Sequence, residues 1–399
     1  MSNLLSPASP THGKASATSP SLARRDGWAI VAGMNLFEPW YKLVAVMLLA
    51  CWTSAQAVIV YSTGDPAHNT SAPTGSLTNG GWQFEGTWGD FLGTPVSPKV
   101  FVTARHVGGT VGGVFRFRGR DYVTTGVFDS PDSDLRLWSV CGTFPEFAPL
   151  YSGTAEIAKP ALIFGRGTQR GAAVAVRNGL STETKGWQWG PSDGVQRWGS
   201  NSVTAIIDGN TVVSLPGGTL GNFLAFTFDA DASPNEATLS TGDSGGAAFI
   251  LDAGVWKLAG IHYGVDGPYN TNTIGGGFFA AVFDQGGLYT GGEGRWNFTP
   301  DVPINVPTKF YSTRVSDHVA WINSVINGPL PEDPAPRLEH SLNVAGPYST
   351  DTAAVVDPVA KTITTPVQGN AWFFRVAGCS ERTITSVRIM GTNVVVKYQ

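Results

Sequence analysis

The chain has 399 residues, a charged fraction of 14% and a formal net charge of −4. That length is comfortable for two domains, and the lack of any long basic or acidic run argues against nucleic acid or an anionic membrane surface as a partner. There is no Cys/His cluster at metal-ligand spacing, no phosphate-binding glycine loop and no cofactor motif, so neither a metal nor a cofactor is expected. Short runs rich in Val, Phe, Thr and Trp alternate with Gly, Pro, Asn and Asp turns, which predicts an all-β body with helix only near its end.

At the start of the chain, residues 1–33 are rich in Ser, Pro and Ala and predict a disordered leader. Lys42 then precedes an apolar run, 43–50, that is too short to span a bilayer. Ala55-Gln56-Ala57 supplies a small-x-small cleavage site. These features together read as a secretory segment over 1–57, with an exported protein beginning at Val58-Ile59-Val60. Met34 is an alternative start. Leu48-Leu49-Ala50-Cys51 is a weaker match to a lipoprotein box that would leave a lipid on Cys51. Arg24-Arg25 matches a twin-arginine signal poorly because Asp26 follows it.

Val100-Phe101-Val102 reads as a buried strand, and Thr103-Ala104-Arg105-His106-Val107 places a histidine at its mouth. An imidazole with an ordinary pKa of about 6.5 suits general-base chemistry near neutrality, although a lone histidine is often only structural. Ser133-Asp134-Leu135-Arg136-Leu137 follows. Asp134 precedes apolar residues at alternate positions, so a strand can anchor in the core while the carboxylate points at its end. Asp129 and Asp132 compete with it, but they sit in an Asp-Ser-Pro-Asp turn and read as loop-forming. With Cys51 in the removed segment, Cys141 and Cys379 allow at most one disulfide. Cys141 itself reads as a buried free thiol.

Gly242-Asp243-Ser244-Gly245-Gly246 reads as a complete nucleophile loop. A serine hydroxyl attacks a carbonyl only when a base and an anion-stabilising site surround it. Glycine at 242 permits a sharp turn that can aim its N–H alongside that of Ser244, and the two can hold an oxyanion. Glycine is abundant here, with 50 residues, so the loop alone does not decide the matter and its partners do. Further on, Val315, Val319, Ile322 and Ile326 recur at helical spacing, with Gly328 as a stop. A proline-rich linker, 329–336, leads into short strand-like runs at 361–365, 371–376, 384–390 and 394–398, with a turn at Gly391-Thr392-Asn393. They predict a small accessory β-module over 337–399, able to bind a surface or polymer or merely to cap the body.

Thr-Ala-x-His-Val, the Asp134 strand and Gly-Asp-Ser-Gly-Gly, in that order, resemble the motifs of trypsin-like (chymotrypsin-fold) serine peptidases, of the bacterial secreted type with few cysteines. The resemblance covers about 58–328. It implies two packed antiparallel six-stranded β-barrels with a C-terminal helix, a catalytic triad of His106, Asp134 and Ser244, an oxyanion hole at Gly242 and Ser244, and a protein or peptide substrate. It also implies that Leu258-Ala259-Gly260-Ile261-His262-Tyr263-Gly264 lines the substrate cleft, with Gly277-Phe278-Phe279-Ala280-Ala281-Val282 as the next strand on the pocket wall. Thr238 falls near the base of the primary pocket, where trypsin carries aspartate, so Arg or Lys preference is not implied. Tyr263, Gly264 and Gly277 fall on its walls. His262 is similar to the pocket histidine of glutamyl endopeptidases, whose motif is Gly-Ile-His-Trp-Gly. The threonine those enzymes place five residues before the nucleophile is Leu239 here. Asp243 needs a partner, since an unpaired buried carboxylate is costly. Val58, freed by signal removal, is one candidate. The competing reading is a catalytically silent binding or adhesion protein on the same fold, and the oligomeric state is not legible.

Overall fold

The computed structural model describes residues 58–213, 219–292, 294–367, 369, 372–379 and 382–399; the segment 1–57 expected to be secretory, with Arg24-Arg25 and Cys51, lies outside the described residues. Six strands, Gly86–Trp88, Phe91–Ser97, Val100–Ala104, Val114–Phe117, Arg120–Asp129 and Leu135–Val140, close into one antiparallel barrel. Six more, Pro160–Gly165, Arg197–Asp208, Asn222–Thr227, Ala247–Asp252, Val255–Val265 and Lys309–Arg314, close into a second. The expected architecture is therefore present.

The strand Val100–Ala104 shows why the barrels pack together. All five of its residues are buried. Phe101 points into the first barrel, in a cluster with Trp88, Phe115, Phe117 and Trp138. Val100, Val102 and Ala104 alternate to the opposite side and join Leu162, Phe164, Phe249 and Leu258 of the second barrel. A strand covered on both faces reads as an unbroken apolar run, because period-two alternation then has no polar side. The second barrel does the same: Phe249 faces the shared cluster while Ala248 and Ile250 face its interior beside Phe226 and Phe310. The loops that carry His106 and Ser244 emerge along this seam.

The chain leaves the second barrel through Arg314, which holds the fully buried Glu156 by two hydrogen bonds of 2.8 and 3.0 Å. Ser316 donates to the same carboxylate at 2.6 Å. That anchorage occupies the first turn as a 3₁₀ segment, Ser316–His318, so the α-helix runs only over Val319–Ile326, shorter than the apolar spacing predicts. Its Ile322 is buried, and Val319 and Val325 pack on the seam. The Gly328 N–H closes it on the Val325 carbonyl at 3.2 Å.

Beyond the linker, Arg337–Ser341, Ser349–Thr350 and Phe373–Ala377 form one small sheet, while Val355–Asp357, Thr362–Pro366, Asn393–Tyr398 and Ile384–Met390 form another. Leu338, Ile363, Val394, Val396 and Tyr398 are the core between them. The last hairpin turns through Gly391-Thr392, with Met390 opposite Asn393 and Gly391 at φ 62°.

The free thiol expected at Cys141 is corrected. Cys141 is disulfide-bonded to Cys379, 238 residues away, with Cα atoms 4.6 Å apart. Cys141 lies just beyond the strand Leu135–Val140, at the partly exposed barrel rim, and the loop after Phe373–Ala377 folds back onto it. Sequence position alone hid this, because only the tertiary fold brings the two sulfurs together. Lys99 and Asp333 add an ion pair of 2.9 Å between the same barrel and the linker.

Candidate active site

His106 sits in a 3₁₀ turn, Arg105–Val107, that ends the strand Val100–Ala104. Asp134 stands immediately before Leu135–Val140, the strand paired with it: Thr103 lies opposite Arg136 and Ala104 opposite Leu135. Adjacent strands thus deliver the two side chains to one rim. Asp134 Oδ2 lies 2.5 Å from His106 Nδ1, and Asp134 Oδ1 accepts the His106 backbone N–H at 3.1 Å. On the far side of the ring, Nε2 is 2.8 Å from Ser244 Oγ, which the second barrel supplies just before its strand Ala247–Asp252. Asp134 is 4% exposed, so the carboxylate faces the imidazole with little competition from water.

The rival acids are engaged elsewhere. Asp129 takes two hydrogen bonds from Arg136, at 2.5 and 2.8 Å. Asp132 accepts the Ser130 hydroxyl and faces His318 Nδ1 at 3.4 Å.

Gly242 has φ 93°, a conformation that a side chain would strain. Around it, the N–H groups of Asp243, Gly245 and Gly246 donate to Ser240, His262 and Asp243 carbonyls respectively. Among the described residues, the N–H groups of Gly242 and Ser244 have no such protein acceptor. A Cβ on Gly245 would strike the Thr103 hydroxyl, which explains the glycine after the serine.

The partner that Asp243 requires is also clear. Its side chain, 1% exposed, accepts the Gly167 N–H at 2.7 Å, the Ser240 N–H at 2.7 Å and the Ser240 hydroxyl at 3.0 Å. The Val58 N–H faces the same carboxylate. Burial raises the Asp243 pKa to about 6, and these donors oppose the rise. Gly167 and Ser240 were not singled out by sequence, since an isolated glycine and serine carry no pattern of their own.

The residues assigned to the pocket divide. Tyr263 is half-buried, with its ring edge-on to His106 at 5.4 Å and stacked on Phe223 at 4.7 Å. Gly264 is open, with no atom within 4 Å of where a side chain would begin. Thr238 is buried, paired with Ile59. His262 is fully buried: its Nδ1 lies 2.9 Å from the Ser312 hydroxyl, and burial lowers its pKa to about 3, so the ring is neutral.

Gly277 is not on the neighbouring strand. The strands beside Val255–Val265 are Ala247–Asp252 and Lys309–Arg314, the latter with Ile261 opposite Thr313 and His262 opposite Ser312. Gly277 packs against Trp296 and Pro268 within the intervening 266–308 stretch, and Ala280–Val282 pairs with Ser181–Ser192 instead. The run 277–282 offered a short apolar strand, whereas Lys309–Arg314, which closes the barrel, has only Phe310 and Tyr311 as apolar residues and was not singled out by local pattern.

No family model and no curated protein sequence matches the chain. Solved structures similar to it include Kallikrein-related peptidase 10, at 16% identity and TM-score 0.36, covering 64% of this chain and 98% of that one. Human heparin binding protein aligns at 15% identity and TM-score 0.36, covering 64% of this chain and 96% of that one. Neuropsin, a serine protease expressed in the limbic system of mouse brain, aligns at 12% identity and TM-score 0.37, covering 62% and 96%. Independently of those overlays, the chain's own two closed six-stranded barrels define a peptidase-fold protein of chymotrypsin type.

Proposed function

We propose that this protein is a secreted serine endopeptidase. The observation that carries the reading is the continuous line Asp134–His106–Ser244, with steps of 2.5 and 2.8 Å spanning the seam between the barrels. In this reading His106 Nε2 takes the Ser244 proton as Oγ attacks the scissile carbonyl carbon. The N–H groups of Gly242 and Ser244 hold the oxyanion. Asp134 fixes the tautomer and stabilises the imidazolium without itself taking the proton. The C–N bond then breaks, the leaving amine receives the proton from His106, and an acyl ester remains on Ser244. Water repeats the steps in reverse, with His106 again as base, and frees the acid.

On the substrate side, Thr238 supplies no counter-charge for Lys or Arg. The neutral, enclosed His262 supplies no cation for Glu, which weakens its likeness to a glutamyl pocket. The open strand end at Tyr263 and Gly264 is where a peptide would lie. Cleavage after Ala57 would make Val58 the first residue, and its new amine would stand at Asp243, a charge-paired partner for that carboxylate.

The test is labelling of the purified protein with a fluorophosphonate, beside Ser244→Ala and His106→Ala. Stoichiometric labelling lost in both variants establishes an activated serine. A folded wild type that stays unlabelled, both before and after cleavage at Ala57–Val58, removes the peptidase reading in favour of a binding protein.

A further inference from the structure

Three strands outside the barrels close over the segment Val58–Tyr61. Thr168–Asn178, Ser181–Ser192 and Ala280–Val282 form one sheet with Ser181–Ser192 in the middle, where Trp187 lies opposite Ala281. The Arg170 guanidinium stacks on the Trp187 ring, 3.3 Å from its centroid, and Arg170 Nη1 donates to the Tyr61 carbonyl at 3.0 Å. The Tyr61 ring stands edge-on to Trp187 at 5.6 Å and to Phe283 at 5.1 Å. Ile59 is sealed in the same cluster, with Trp187, Phe228 and Ala281.

The other edge of that segment reaches the nucleophile loop. Ile59 pairs with Thr238 and Val60 with Ala237, and the Tyr61 N–H donates to the Glu236 carbonyl at 2.8 Å. Val58 then meets Asp243, the residue before Ser244. A two-residue strand pairing is too short to hold itself in water, because so few bonds cannot offset the ordering of the chain. Its order must come from what covers it. A planar cation stacked on indole and bonded to a carbonyl is well suited to that task.

We propose that Arg170 and Trp187 are positioning residues. They clamp Val58–Tyr61 against 236–238 and Asp243, and so hold the 240–244 loop in the form that aims the Gly242 and Ser244 N–H groups. The coupling of the two segments stands on structure alone, and only its catalytic consequence rests on Ser244 being a nucleophile.

The test compares the wild-type protein with Arg170→Ala, Arg170→Lys and Trp187→Phe by amide hydrogen exchange and by fluorophosphonate labelling rate. Arg170→Ala is expected to speed exchange at both 58–61 and 240–245 by on the order of tenfold or more, with 100–104 unchanged, and to slow labelling by a similar factor. Arg170→Lys, which keeps the charge but loses the planar stack, falls between. Should Arg170→Ala also loosen 100–104, the milder Trp187→Phe must still speed 58–61 and 240–245 selectively. Faster exchange at 58–61 with 240–245 unmoved, in both variants, overturns the clamp even where the wild type labels fully. Coupled exchange in a wild type that never labels upholds the clamp and removes the nucleophile reading instead.

Discussion

Asp134 holds His106 at two points, its ring through Oδ2 at 2.5 Å and its backbone N–H through Oδ1 at 3.1 Å. One carboxylate thus fixes both the tautomer of the imidazole and the turn that carries it. Asp134→Asn keeps the shape but presents an amide that cannot stabilise an imidazolium. On the proposed peptidase reading, turnover of a peptide substrate is expected to fall by about 10⁴-fold, the scale for losing the tautomer-fixing acid of such a triad. Asp129→Asn and Asp132→Asn should each change it by far less, since their carboxylates are held by Arg136 and by Ser130. A large loss at Asp132 in steady-state kinetics would show that the acid is misassigned.

The Cys141–Cys379 bond closes a long loop between the first barrel and the module. Cys379→Ser is expected to cost about 2–5 kcal/mol against unfolding, on the scale for removing a native disulfide. Thermal melts of the wild type with and without a thiol reductant should show the same loss, while melts of the variant should ignore the reductant. Denatured, unreduced wild type should release no thiol from 141 or 379.

His262 gives the fold a dependence on acid. Its folded pKa is lowered by burial to about 3, from 6.5. The unfolded chain therefore takes up a proton first as the pH falls. The stability His262 contributes is complete above pH 6.5 and is lost progressively toward pH 3, an effect of a few kcal/mol at most. Denaturant midpoints of the wild type and His262→Gln, compared at pH 7 and pH 4, should converge as the pH falls. A constant gap would mean that the ring takes up a proton as readily in the fold as in the unfolded chain.

Glu236 acts in the opposite direction. Burial, with repulsion from Asp229 adding to it, raises its pKa to about 8 from 4.5, while a backbone N–H from Asp229 opposes the rise. The folded state keeps the proton longer, so this contribution is present below pH 4.5 and is lost as pH rises toward 8. Glu236→Gln preserves an oxygen for the Asn201 amide, now 2.9 Å from Glu236 Oε1, and cannot ionise. The variant should gain on the wild type between pH 5 and pH 9 by on the order of a few kcal/mol. Equal midpoints across that range would mean that water reaches the carboxylate.

His106, Asp134 and Ser244 were legible in the sequence because each is announced by its own neighbours. A strand ends just before His106, a strand begins after Asp134, and glycines frame Ser244. Period-two apolar runs likewise specified β-structure, and the unbroken apolar run Val100-Phe101-Val102 specified the buried seam strand, since burial on one face or both is written locally. What the sequence could not decide depends on which distant segments meet. The choice of Lys309–Arg314 over Ala280–Val282 as a strand beside Val255–Val265 turns on closing a barrel around the 266–308 stretch. The partners of Asp243 come from 58, 167 and 240, and the partner of Cys141 lies 238 residues away. Local propensity and periodicity are properties of neighbours in the chain. Pairing across such separations is set by packing of the whole, and there the tertiary structure alone decides.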